Sequence, residues 1–231
     1  FFLLFFQQLI ASSTHLFAKH VIVSLHPAVV VLYRGFFSVI AYAAWLLLRR
    51  QGRPNIVRAD IPLLLLMGLI NIPMNQLMFV WGLKYTSPPD AALAYALSPA
   101  FVLIISHVLK HEFLTRTKVL GICCAIAGTL IVLLEKGLSL QADHLRGNII
   151  ELCASMSWAV FTVLGRRMSL KIGAVYSTGL SMAIGLVLFL PVYALLPVDH
   201  VVPSALTADQ WVGVLYLGVV TSGLGFGLWY Y

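Results

Sequence analysis

The chain has 231 residues, 61% of them hydrophobic and 10% charged, with a mean hydropathy of +0.96. A soluble domain averages nearer half apolar and a quarter charged, so a soluble fold is excluded. The net charge of +7 does not point to nucleic acid, because ten of the 15 Lys and Arg lie in three alternate loops: Arg49, Arg50, Arg53 and Arg58; Lys110, Arg116 and Lys118; Arg166, Arg167 and Lys171.

Eight apolar segments follow one another: Phe1–Leu25, Ala28–Leu48, Ile61–Gly82, Ala91–Leu109, Val119–Leu134, Gly147–Gly165, Val175–Leu195 and Trp211–Tyr231. Each is near the ~20 residues that a helix needs to cross ~30 Å of hydrocarbon. Their apolar runs are uninterrupted, which excludes the alternation of a barrel strand. By the positive-inside rule the three basic loops are cytoplasmic, and so is the N-terminus.

The first segment opens with FFLLFF, which has no basic region before it and reads as a membrane helix rather than a secretory leader. Gln8, Ser12, His15 and Lys19 form a polar stripe down one of its faces. His26-Pro27 is a tight turn, and Arg34 lies seven residues beyond it, as Lys19 lies eight before it. At ~1.5 Å per residue both cations are expected about 10 Å below the surface, side by side on an antiparallel hairpin. Buried cations face a bundle interior or a wet cavity, unless they snorkel to the headgroups.

In the third segment, NIPMNQ puts Asn71 and Asn75 on one face, and Pro73 frees the carbonyl of Leu69. Such a pair lines a mid-membrane site or forms interhelical hydrogen bonds that only hold the bundle. In the fourth, Pro99 frees the Tyr95 carbonyl beside the Tyr95 and Ser98 side chains. Glu112, among the cations at the exit of that segment, reads as local charge balance. Gly121, Ala125 and Gly128 of the fifth segment favour close packing. Cys123, Cys124 and Cys153 fall within membrane segments without metal-ligand spacing and read as reduced, small fillers.

The sixth segment carries a second stripe, Glu151, Ser155, Trp158 and Thr162. Laid over the first, ELCASMSWAVFT matches QLIASSTHLFAK at Leu9, Ala11 and Ser12 against Leu152, Ala154 and Ser155. A second register agrees: Leu63–Trp81 lies over Gly213–Tyr231, with Gly68 on Gly218 and Asn71 on Thr221. Ser177 and Ser181 share a face of the seventh segment, and Gly223 and Gly227 allow tight packing in the eighth. The chain therefore reads as a duplicated unit, residues 1–136 and 147–231, whose second copy is about two helices short. The first and sixth segments run in opposite directions, so the repeat is inverted.

At this point the residues resemble a known family. Tyr85–Leu134, with Ser98-Pro99 inside one helix, Glu112 at its exit and Gly121 and Gly128 in the next, is similar to the EamA domain of the drug/metabolite transporter superfamily. Pro27 to Arg34, Ser157–Arg167 and Leu215–Tyr231 fit as well, so that the resemblance covers the whole chain. It implies an all-α, polytopic membrane protein with a ten-helix fold of two inverted five-helix halves, eight helices being present here. It also implies a central cavity open alternately to either side, and export or exchange of small metabolites such as amino acids across the cell membrane.

The substrate-binding side chains expected from the stripes are His15, Lys19, Arg34, Asn71, Asn75, Tyr95, Ser98, Ser155, Trp158 and Ser181. Lys19 and Arg34 would attract a carboxylate, while Trp158 and Tyr95 would offer π faces to an ammonium. His15 is the candidate for a coupling proton, unless a counter-substrate drives transport. No cofactor, metal or nucleic acid is expected. Two other classes compete. An intramembrane enzyme would need a clustered catalytic set, and HExxH, GxSxG and acidic pairs are all absent from the sequence. A non-transporting receptor or scaffold would bind a ligand without flux.

Overall fold

Eight helical rods stand where the eight apolar segments were expected. They are seen in a computed structural model that describes residues 2–48, 54–135, 142–198, 204 and 206–226. Helix α1 spans Phe2–Ile22 and α2 Pro27–Leu48. The third rod joins α3 (Ile61–Leu69), a π-helical stretch π1 (Ile70–Gln76) and α4 (Leu77–Tyr85). The fourth is α5 (Pro88–Ala96) and α6 (Ser98–Val108), followed by α7 (Arg116–Glu135), α8 (Ala142–Ile172) and α9 (Ala174–Leu195). The last joins α10 (Ala208–Leu215) to a second π-helical stretch, π2 (Tyr216–Gly225). Among the described residues, five of these rods are long and apolar enough to cross a membrane, within Pro27–Leu48, Arg58–Tyr85, Pro88–Val108, Asp143–Ile172 and Ala174–Leu195.

Local chemistry sets the ends. Pro27 and Pro88 occupy first turns, where a missing N–H costs nothing. Ser87 caps α5 by accepting from the Asp90 N–H, and Thr207 and Gln210 form a capping box on α10. Gly173 ends α8 at φ +85°, a left-handed turn that favours glycine, and α9 begins at the next residue.

This corrects one expectation. Arg166, Arg167 and Lys171 are not in a loop but complete the last turns of α8, since Arg and Lys are good helix formers and suit a helix C-terminus. Likewise Arg116 and Lys118 sit in the first turn of α7. Lys118 donates to Glu112 at 2.8 Å, and this bond holds the Glu112 carboxyl below the usual carboxylate range, with Arg166 also nearby. Arg49, Arg50, Arg53 and Gly227 lie outside the described residues.

The prolines act differently from one another. Pro73 is absorbed by the wider turn of π1, where the Leu77 N–H reaches back to the Ile72 carbonyl. At Pro99 the rod breaks instead: Leu97 leaves the helix between α5 and α6, and its N–H turns onto Ala94.

Two of the seams that hold the bundle together are reciprocal. In one, α3 meets α9 backbone to backbone: a Cβ on Gly68 would lie 2.9 Å from the Gly185 nitrogen, and one on Gly185 2.6 Å from the Gly68 oxygen. In the other, π2 meets α2 at Gly218, whose Cβ would lie 2.6 Å from that of Phe37 and 3.0 Å from the Arg34 oxygen. Small residues permit such approach, and dispersion over the closed gap supplies the attraction that water supplies elsewhere.

Candidate functional site

Arg34, Ser38 and Tyr42 repeat every four residues along α2 and form a buried polar stripe. π2 is what they meet. A π turn displaces backbone carbonyls from their usual partners, and α2 supplies replacements. The Ser38 hydroxyl donates to the Gly218 oxygen at 3.0 Å, and the Tyr42 hydroxyl donates to the Ser222 oxygen at 3.1 Å. Arg34 donates through Nε to the Ser222 Oγ at 2.7 Å. Arg34 is 2% exposed, its Nη1 has no partner among the described residues, and its guanidinium faces the Phe79 ring at 5.7 Å.

Arg34 borders a cavity of about 320 Å³. α1 contributes Gln7, Thr14 and His15 to its wall; π1 and α4 contribute Asn75 and Phe79; α5 and α6 contribute Tyr95 and Ser98. Trp158 of α8, Thr221 of π2 and Phe226 close the other side, Trp158 and Phe226 lying 4.5 Å apart. Among the described residues the wall holds a cation and several amide and hydroxyl groups but no carboxylate. Gln8, Ser12, Ala92, Ala96 and Pro99 of the wall are exposed, so the cavity opens between α1 and the α5–α6 rod.

One end of the cavity is shut by three rings. His15, Phe79 and Tyr95 meet edge to face in a closed triangle, with centroids 5.3, 5.7 and 5.6 Å apart. Asn75 fixes the cap by donating both to the Tyr95 hydroxyl and to the Ala154 carbonyl, each at 2.8 Å. Beyond the cap Ala18, Val80, Leu83 and Ala154 are fully buried.

Six of the ten expected side chains, His15, Arg34, Asn75, Tyr95, Ser98 and Trp158, thus border one cavity. Ser155 stands directly behind Ser98, the two hydroxyls 2.9 Å apart. Asn71 and Ser181 are spent on each other: the Asn71 amide donates to Ser181 at 3.1 Å, within a buried set that includes Gln76 and Thr178. Lys19 does not stand beside Arg34. It reaches across to α4 and donates to the Leu83 and Thr86 carbonyls at 2.7 and 2.8 Å, the orphan acceptors of a helix end. α1 and α2 point their cations into different seams, because each finds its acceptors on a different neighbour.

Sequence reasoning missed Phe79, Ser222, Thr221 and Phe226. Phe79 and Phe226 carry no signal in an apolar segment. Thr221 did carry one, being the residue on which the repeat lays Asn71.

Comparison with known proteins agrees with this architecture. Residues 1–134 and 145–231 match the sequence profile of the EamA-like transporter family. The uncharacterized transporter YyaM of Bacillus subtilis is 30% identical over 84% of this chain and 68% of its own length. The uncharacterized transporter YetK of the same organism is 26% identical over 78% and 55%. A probable amino-acid metabolite efflux pump of Salmonella typhimurium is 30% identical over 75% of this chain and 61% of its own. The chain therefore spans between about half and two thirds of the length of these relatives. A solved crystal structure superimposes with a TM-score of 0.68 over 97% of this chain and 79% of that one, at 20% identity, which shows the shared fold.

Proposed function

The chain belongs to the EamA-like transporter family, and from that premise we propose that this membrane transporter carries small metabolites bearing a carboxylate, amino acids or related zwitterions and anions. It does so by alternating access across the cell membrane, with its N-terminus in the cytoplasm. The observation that carries this reading is Arg34: a buried guanidinium with Nη1 unpaired among the described residues, at the wall of a cavity whose described lining has no acid to neutralise it. A buried unpaired cation costs several kcal/mol, and a substrate carboxylate is the group that relieves it.

The remaining wall suits the rest of a zwitterion. Trp158, Tyr95 and Phe226 offer ring faces to an ammonium or an apolar side chain, while Asn75, Ser98 and Gln7 offer amide and hydroxyl groups. The name of the Salmonella relative points to the same class. His15 is the side chain of the wall through which a coupling proton would pass if protons rather than a counter-substrate drive the cycle. The inverted repeat, residues 1–136 and 147–231, supplies the two halves that rock about the cavity. Its support is the reciprocity of the two seams and the fall of π1 and π2 at equivalent places of the overlay.

The test is binding and counterflow of labelled amino acids, organic anions and cationic dyes by the reconstituted chain, with Arg34→Ala beside the wild type. Loss of one charge-assisted contact of about 2 kcal/mol weakens a carboxylate ligand by roughly 30-fold, and leaves cationic dyes unaffected or better bound. Carboxylate affinity unchanged by Arg34→Ala, in a folded protein, overturns the site.

A further inference from the structure

Glu151 of α8 is a buried acid that lies outside the site just described and has no use there. It is 0% exposed, and neither carboxyl oxygen has a hydrogen-bond partner among the described residues. It is not part of the cavity wall. It sits on the far side of the three-ring cap, one turn along α4 from Phe79, where Gly82 makes room for it. A Cβ on Gly82 would lie 3.0 Å from both the Glu151 Cγ and its Oε1. Four residues toward the helix start, Gly147 rests on Thr86, and Asn148 bonds to the Thr86 hydroxyl. Glu151 is thus one step in from the end of the α4–α8 seam, and a packed cap separates it from the cavity.

The ionisable groups around it are committed elsewhere. Lys19 of α1 is held by the Leu83 and Thr86 carbonyls. On α4, Lys84 lies over the Tyr85 ring, as does Arg146 of α8 itself. On α5, Tyr95 accepts from Asn75, and Asp90 is bonded to Ser87. π1 carries no titratable side chain, and those of α9 are Tyr176 and Tyr193. Among the described residues no cation pairs with the carboxyl. An ionised carboxylate without a partner in such an interior costs several kcal/mol, whereas the acid form costs far less.

We propose that Glu151 is a proton-binding site of the closed gate. It holds a proton while the α4–α8 seam and the ring cap are shut, and it exchanges that proton only with the solution on the sealed side, when this half opens. The site therefore senses the pH of one compartment and biases the gate. Acid on the Thr86–Asn148 side keeps that side shut, and base on that side favours opening, because the ionised group is stable only when water reaches it. This rests on the alternating-access reading but not on the nature of the substrate.

Two readouts test it in the reconstituted chain without any substrate. In infrared difference spectra of wild type against Glu151→Gln, the wild type shows the carbonyl stretch of a protonated carboxylic acid at neutral pH, and the variant lacks it. In a background free of Cys123, Cys124 and Cys153, Leu83→Cys places a thiol behind the cap. An impermeant maleimide added on the Thr86–Asn148 side labels it faster as pH rises, by up to about tenfold per pH unit beyond the reagent's own dependence. With Glu151→Gln, or Glu151→Met should the first variant not fold, that extra dependence is lost. Absence of the acid band in wild type, an unchanged pH profile in both variants, or no labelling at any pH overturns the proposal. Carboxylate binding with and without Arg34→Ala is measured separately, so failure of the substrate reading leaves this result standing.

Discussion

At the scale of single residues, two cations placed alike by the sequence perform different work. Arg34 keeps one nitrogen free at a cavity, whereas Lys19 satisfies two carbonyls at the end of α4. Distance from the turn at Pro27 predicts equal depth, but depth does not say which neighbour a side chain meets. The structural assignment has a direct consequence. Lys19→Met removes the only side-chain donor reaching the Leu83 and Thr86 oxygens among the described residues, and each buried acceptor left unpaired costs about 1–3 kcal/mol. Lys19→Met is therefore expected to lower the thermal midpoint of the purified protein. Its ligand affinity, measured below that midpoint, stays within about twofold of wild type, since the loss falls on stability and not on the 1.4 kcal/mol scale of a tenfold affinity change. A large drop in affinity at unchanged stability would return Lys19 to the binding site.

At the scale of elements, the helices were legible and their partners were not. Apolar runs of membrane length locate all eight rods, and polar residues spaced by three and four locate the faces that turn inward. In a membrane, however, the faces that touch lipid and those that touch protein are equally apolar, so pairing must be read from small residues and lone polar groups. Gly68, Gly82 and Gly218 mark three such contacts, and only the repeat drew attention to two of them. The π stretches show the same limit. Pro73 announces π1, because its ring excludes a regular turn. π2 contains no proline; what sustains it lies on another helix, in Ser38 and Tyr42. Removing both hydroxyls, as Ser38→Ala with Tyr42→Phe, leaves the Gly218 and Ser222 carbonyls without these donors. The expected result is a loss of about 2–4 kcal/mol of stability, or relaxation of π2 to a regular helix. The second outcome turns Thr221 away from the cavity and weakens ligand binding. Amide hydrogen exchange across residues 216–225 distinguishes the two, slowing if a regular helix forms and quickening if the stretch is merely loosened.

At the scale of the whole molecule, the two reciprocal seams help to join the halves. The third rod packs on α9, and the last rod packs on α2, so each half of the sequence is buttressed by a helix of the other. Such an exchange means that neither half has a complete interior alone, and that any motion of one against the other would disturb the contacts at Gly68–Gly185 and at Gly218 as well as the α4–α8 seam. The atom nearest to a Cβ on Gly185 is the Gly68 backbone oxygen, and the atom nearest to one on Gly218 is the Phe37 Cβ, and neither is the free end of a flexible side chain. A methyl group there forces the helices apart, and overpacking of this kind costs typically 1–3 kcal/mol. Gly185→Ala and Gly218→Ala are therefore expected to destabilise the protein by similar amounts. The two sites share no partner residue, so the double variant should show the sum of the single losses within about 0.5 kcal/mol. Unfolding in denaturant from mixed micelles measures all three. Losses that differ by more than about 2 kcal/mol would mean that one seam carries the bundle and the other only borders it. Strong non-additivity would mean that the seams open together, as two halves of a single hinge must.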